Sequence, residues 1–243
     1  PTATVPLSFI QRMKLKLTAK FKPGFYDQYP ELRDQKIRKQ VKTTMTFSST
    51  ASVLARKEPF ALLVLQVHDD TQILLNSKLF KNPKDFLLHC YENVREVFGP
   101  DYPVVIKLHP ADMGRICYAD VAKTLHEVSW IGAEPVQPLL ESCAFVMVVN
   151  SSVGLQSIAL HKPTLVFGES FYSKDEVCSV IQSPDQTRQC LRALKRGNAV
   201  VDVAAADHFL AYLRTHFFVT GSWNVGPNTN LRPAVQRIQQ ILS

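Results

Sequence analysis

Three short polar stretches follow apolar runs, and their residue types suit a phosphate and the carbon bonded to it. The first is Gln66-Val67-His68-Asp69-Asp70-Thr71-Gln72, the second Lys107-Leu108-His109-Pro110, and the third Asn150-Ser151-Ser152-Val153-Gly154. A buried strand that stops at Asn-Ser-Ser-x-Gly and opens a helix presents backbone N–H groups, two hydroxyls and a positive dipole end to an anion. Lys107 closes an apolar strand, a position that calls for an anion or a carboxylate partner. His109 adds a titratable ring, and Asp69-Asp70 adds two carboxylates. Together these groups could bind a phosphate leaving group and attack the carbon it leaves. Each also has a plainer reading. Ser151 or Ser152 could be an ordinary N-cap, His109 could close a strand end before Pro110, and Asp69-Asp70 could be a solvated turn.

The elements that would position these groups alternate between strand and helix. Apolar strands are expected over residues 61–67, 104–108, 128–131, 144–149 and 164–167. Helices are expected between and after them. One starts at Asn82-Pro83, an N-cap followed by proline at the first helical position, and runs to Phe98 before Gly99-Pro100. Others cover residues 116–127, 136–143, 152–161, 184–195 and 205–217. Strands that are apolar throughout and separated by helices imply an α/β fold, a doubly wound, mostly parallel sheet covered on both faces. Its ligand belongs at the carboxyl ends of the strands, where the three polar stretches lie side by side. A fourth strand end, Phe167-Gly168-Glu169-Ser170-Phe171-Tyr172, joins them.

Composition narrows the field. With 243 residues, 46% of them hydrophobic, the chain can bury a full core. No stretch approaches the ~20 apolar residues of a membrane span, and no signal-peptide pattern is present. The chain starts at Pro1, which reads as a processed or trimmed product or a single domain. Five cysteines without CxxC spacing read as reduced core residues of a cytosolic protein. No metal site is expected, because the seven histidines are scattered without HxxxH or His/Cys pairing. The net charge of +7 is uneven: residues 1–60 hold twelve Lys and Arg against four Asp and Glu, leaving the remainder one unit negative. Apolar residues between those charges (Phe9, Ile10, Met13, Leu15, Leu17, Phe21) suit an anionic membrane face, a polyanionic substrate or a solvated helix beside another domain. Nucleic acid is not expected as a partner, since no aromatic stacking platform accompanies the charge.

In order and spacing, QVHDDTQ, KLHP and NSSVGLQSIALHKPTLVFGESFY resemble the bacterial capsule polysaccharide biosynthesis/export family, which includes the β-Kdo transferases. The pattern Q-x-x-x-D-x-Q falls on Gln66, Asp70 and Gln72, K-x-H-P on Lys107, His109 and Pro110, and N-S-[ST]-x-G on Asn150, Ser151, Ser152 and Gly154. The resemblance covers roughly residues 60–222. His161 departs from it, standing in a helix–strand turn where the family carries glycine or another small residue.

The resemblance implies the Rossmann-like, nucleotide-binding half of a GT-B glycosyltransferase. Residues 1–57 would be a basic connector or the remnant of an N-terminal acceptor domain, 58–222 the CMP-sugar-binding domain, and 223–243 a loop and C-terminal helix. The donor would be CMP-Kdo or a related nucleotide sugar, and the acceptor a lipid-linked or polysaccharide saccharide at the cytoplasmic face of the inner membrane. Lys107, His109, Pro110, Asn150, Ser151, Ser152 and Gly154 would hold the nucleotide phosphate. His109 would also assist departure of the phosphate, so no metal cofactor is expected. Asp70 would be the nucleophile of a retaining transfer, with Gln66 and Gln72 holding Asp70 or the sugar hydroxyls. Asp69 would point away, leaving one working aspartate. A CMP-sialic acid-type transferase and a non-catalytic nucleotide- or glycan-binding module remain as alternatives. A UDP-sugar enzyme is disfavoured, because no carboxylate follows Gln156 until Glu169.

Overall fold

The computed structural model describes residues 45–198 and 201–218, together with positions 233, 236 and 239. The basic end up to residue 44 and nearly all of the expected 223–243 tail lie outside the described residues. In chain order the elements are α1 (Thr50–Leu54), β1 (Ala61–Val64), α2 (Thr71–Asn76), α3 (Pro83–Phe98) and β2 (Val104–Lys107). Then come α4 (Ala119–Ala122), β3 (Val128–Ile131), α5 (Gln137–Ser142), β4 (Phe145–Val148), α6 (Ser152–Ala159), β5 (Thr164–Val166) and β6 (Ser179–Val180). They close with α7 (Pro184–Lys195), α8 (Val203–Tyr212) and a π-helical turn, Leu213–Phe217.

The six strands form one sheet in the order β3-β2-β1-β4-β5-β6, and every pairing is parallel. This is the strand order of a Rossmann-like, doubly wound sheet, whose topological switch point falls between β1 and β4. The strands are short and apolar because both faces are covered. Ala61, Leu63, Val104, Ile106, Phe145 and Met147 belong to the core cluster that includes residues of α3 and α7. Leu62, Val64, Val105, Val146 and Val148 belong to the cluster that includes residues of α5, α6 and α8. Alternation along β2 therefore puts Lys107 on the face of Val105.

Local chemistry explains most boundaries. Asn82 caps α3 by accepting from Lys84 N at 2.9 Å with Pro83 at the first position, and Gly99 ends it at φ 108°. Ser183 and Gln186 form a capping box on α7. His161 takes φ 52° between α6 and β5, a left-handed conformation that glycine adopts more easily, and its Nε2 lies 2.8 Å from Asp207 Oδ1.

Two expectations are corrected. The helix over 116–127 is only the single turn α4. Glu127 takes φ 51°, and Arg95 donates to the carbonyls of Tyr102, His126 and Glu127, holding the segment as a loop. Residues 45–57 are not a detached connector: Met45 and Val53 are core residues, Ser48 N donates to Trp130 O, and Thr50 N donates to Glu134 Oε2 at 2.8 Å. The described part of the domain thus starts before residue 58.

Gly154 sits one turn into α6 because Tyr172 occupies the space a side chain would need. A Cβ there would stand 2.5 Å from the Tyr172 hydroxyl oxygen and 2.8 Å from two ring carbons. Tyr172 is buried and donates its hydroxyl to Ser151 O. Gly154→Ala is therefore expected to cost about 1–3 kcal/mol through overpacking, read as a Tm lowered by several degrees in thermal unfolding; an unchanged Tm would refute this packing role.

Candidate functional site

The sequence leaves the sheet at β1, β2, β4 and β5, and their following loops line one crevice of about 400 Å³. Gln66, Asp70 and Gln72 come from the first loop, and His109 from the second. Asn150, Ser151 and Ser152 come from the third, and Ser170, Phe171 and Tyr172 from the fourth. The crevice lies across the switch point, with a volume within the range of small-molecule sites. A second cavity of about 560 Å³ adjoins it through Ser170, between Lys78 and Gln182, and holds none of the expected site residues.

A pair of buried amides forms the floor. Gln66 Oε1 accepts from Asn150 N at 3.0 Å, and Gln66 Nε2 donates to Asn150 Oδ1 at 3.0 Å. Asn150 Nδ2 donates in turn to Gln72 O at 2.9 Å and Glu169 O at 3.2 Å. The Asn150 side chain is thereby fully engaged in joining three loops. It lines the crevice as a frame residue, its side chain spent on holding neighbouring loops. Gln66 is likewise committed to Asn150, with Asp70 Oδ2 at 3.5 Å from its Nε2.

On the first loop, Asp70 caps α2: its Oδ1 accepts from Gln72 N at 2.9 Å. That cap fixes one oxygen and leaves Oδ2 as the less engaged atom, toward Gln66. Gln72 does not reach Asp70 with its side chain; its Oε1 accepts from Asn76 Nδ2 at 2.8 Å along α2. Asp69 is paired with Arg115, with 3.1 Å between its Oδ1 and Nη1, and that guanidinium holds its carboxyl below the usual range. One aspartate therefore lines the crevice and its neighbour is turned to a cation.

On the second loop, His109 caps a 3₁₀ turn, Pro110–Asp112, with Nδ1 accepting from Ala111 N at 3.1 Å. An acceptor Nδ1 places the proton of the neutral ring on Nε2, the atom left for a ligand. Pro110 starts that turn and supplies no contact of its own to the crevice lining. Lys107 departs from expectation. It is buried, and its Nζ donates to Leu108 O at 2.8 Å and Gly132 O at 2.5 Å, beside β3. Burial pushes its pKa down, with Glu134 opposing. The lysine satisfies carbonyls and is absent from the crevice lining.

On the third loop, Ser151 is the N-cap of α6, its Oγ accepting from Val153 N at 3.2 Å. The N-cap reading of this motif falls on Ser151, while Ser152 stays exposed at the first helical position. Gly154 makes room for Tyr172 and is not among the crevice residues. The sequence reading reached the fourth loop but assigned it no role. Phe171 there is 42% exposed and stacks on Phe217 with 5.2 Å between centroids. An aromatic pair directly after a strand end was the available signal.

Asn150→Asp would turn a carboxylate oxygen toward the carbonyls of Gln72 and Glu169 in place of a donor. The expected cost is about 1–3 kcal/mol in denaturant unfolding, against about 0.5 kcal/mol or less for Gln72→Ala, whose side chain makes only a contact within its helix. Equal small costs would show that the amide frame is not what joins the loops.

Residues 14–213 match the family model for capsule polysaccharide biosynthesis proteins. The chain is 28% identical over 121 residues to capsule polysaccharide modification protein LipB of Neisseria meningitidis, covering 46% of this chain and 29% of that protein. It is 28% identical over 120 residues to capsule polysaccharide export protein KpsS of Escherichia coli, covering 46% and 31%. The chain thus spans less than a third of the length of these relatives. Among solved structures it is similar to the KpsC β-Kdo 2,4 transferase of Thermosulfurimonas dismutans, with 19% identity, a TM-score of 0.45, and coverage of 74% of this chain and 59% of that one. With the family model spanning most of its length, the chain belongs to the capsule polysaccharide biosynthesis protein family.

Proposed function

We propose that this chain is the donor-binding half of a glycosyltransferase that moves a sugar from a CMP-activated donor, CMP-Kdo, to a saccharide acceptor with retention of configuration. The observation that carries this reading is one crevice holding Asp70, His109 and Ser152 on three different loops. The donor phosphate would sit at the start of α6, taking the Ser152 hydroxyl and backbone amide and the helix dipole. His109 Nε2 would donate to the same phosphate as the glycosidic C–O bond breaks. Asp70 Oδ2 would attack the anomeric carbon, giving a glycosyl ester that the acceptor alcohol opens. The short cap to Gln72 N aims this carboxylate without neutralising it.

The acceptor would be a lipid-linked or polysaccharide chain, bound with help from the rest of a longer protein. The basic residues before Met45 would meet an anionic membrane surface at the cytoplasmic face. No described helix is long and apolar enough to cross a membrane.

Isothermal titration with CMP, using UMP and AMP as controls, tests the donor site. Charge-assisted hydrogen bonds of about 1.5–3 kcal/mol each predict that His109→Ala and Ser152→Ala weaken CMP binding about 10-fold or more. Lys107→Met should leave it within about twofold, because its ammonium is turned to carbonyls. Asp70→Ala should abolish transfer from CMP-Kdo while leaving CMP affinity nearly intact. Equal binding of all three nucleotides, or joint loss of binding and transfer in Asp70→Ala, would overturn the assignment.

A further inference from the structure

Two residues after Gln66 and two before Asp70, His68 forms a pair that the reading so far leaves unused. Asp112, buried at 4% exposure, accepts from His68 N at 3.3 Å through Oδ2, and its Oδ1 lies 2.6 Å from His68 Nδ1. Both partners stand on crevice-lining loops: His68 between Gln66 and Asp70, and Asp112 in the 3₁₀ turn that His109 caps. Beside the carboxylate is Tyr118, whose hydroxyl is buried without a hydrogen-bond partner, and whose ring lies 5.8 Å from that of Trp130. The charged neighbours of the ring on its own loop are accounted for: Asp69 is held by Arg115, and Asp70 caps α2.

A buried carboxylate on Nδ1 fixes the tautomer and orientation of an imidazole. Among the described residues its Nε2 has no partner. The His68 side chain is 26% exposed, and it stands between two crevice-lining residues, Gln66 and Asp70, without itself lining the crevice. A tie between two loops would need only one of the two contacts. The second puts the ring in the setting of a general base.

We infer that His68, oriented by Asp112, is the base that takes the acceptor's proton in the second half of the transfer; this rests on the glycosyl-ester reading of Asp70. In that step the acceptor oxygen bonds to the anomeric carbon as the bond from that carbon to Asp70 breaks. The carboxylate recovers its electron pair, and the acceptor's hydroxyl proton passes to His68 Nε2 and then to water. The first step uses no base, because the leaving CMP phosphate departs with its electron pair toward His109 and Ser152. His68 therefore acts on one half-reaction only.

The test uses the full-length protein and CMP-Kdo, with water standing in for the acceptor alcohol. His68→Gln should release one equivalent of CMP at the wild-type rate and then stall, its steady-state turnover falling about 100-fold or more. A covalent adduct of one sugar residue should then appear by intact mass. Azide, a nucleophile that needs no deprotonation, should restore turnover and yield the glycosyl azide with retained configuration. Asp112→Asn should show the same stall, about 10-fold or deeper, which separates the base from a folding defect in either variant. Wild-type turnover in His68→Gln, or loss of the first CMP equivalent together with turnover and no azide rescue, would overturn the inference alone. Release of that first equivalent by Asp70→Ala would instead sink the glycosyl-ester reading and this inference with it.

Discussion

The amide pair between Gln66 and Asn150 holds the site together. Parallel strands end side by side, but nothing in a sheet fixes the loops that leave it, and here those loops come from positions 84 residues apart. The Gln66 amide accepts from the Asn150 backbone N–H and donates to the Asn150 side-chain oxygen, so it ties the ends of β1 and β4 at the switch point in place of a further rung of sheet. Asn150 then spends its remaining two donors on Gln72 O and Glu169 O, drawing in α2 and the loop after β5. All these groups are buried or partly so, where an unpaired amide costs about 1–3 kcal/mol. The network therefore favours one loop arrangement over the many that the strand ends alone would permit.

From that frame the division of labour follows. Residues that look alike in the sequence part company once the frame claims some of them. Ser151 is spent on the cap and on Tyr172, and Ser152 is left over. Asp69 is spent on Arg115, and Asp70 remains. In each adjacent pair one side chain is claimed by a cap or an ion pair, Ser151 by α6 and Asp69 by Arg115, and the other keeps an oxygen toward the crevice. In the proposed function this suits a phosphate at a helix start, because the cap fixes the backbone whose next amide and hydroxyl would bind it.

The parallel sheet covered on both faces, the α3 boundaries and the crevice at the carboxyl ends were legible in the sequence, because they rest on local signals such as apolar runs, Asn82-Pro83 and the 150–154 turn. What was not legible depends on partners distant in sequence. Lys107 read as an anion ligand because a buried ammonium needs acceptors, and nothing local says that Leu108 and Gly132 carbonyls supply them. The residue 116–127 segment has helical periodicity, yet Arg95, on another helix, claims the carbonyls of His126 and Glu127. Gly154 read as room for a phosphate, when the group it admits is the Tyr172 ring, eighteen residues later. The motif residues were thus recognisable as a set, while their sorting into frame and crevice required the fold.

That sorting also bears on how a fragment-sized unit could keep a working donor site. The frame contacts among Gln66, Asp70, Gln72, Asn150 and Glu169 all lie within residues 66–169, and the capping contacts of Ser151 and His109 are local. None of them draws on the basic end before residue 45. If this crevice is the donor site proposed above, it is preorganised by its own sheet, and association with other parts of a longer protein would act on acceptor capture and not on the geometry of the phosphate site. Binding energy for the nucleotide and positioning of the acceptor are then separable, and substitutions in the basic end would change transfer without changing CMP affinity.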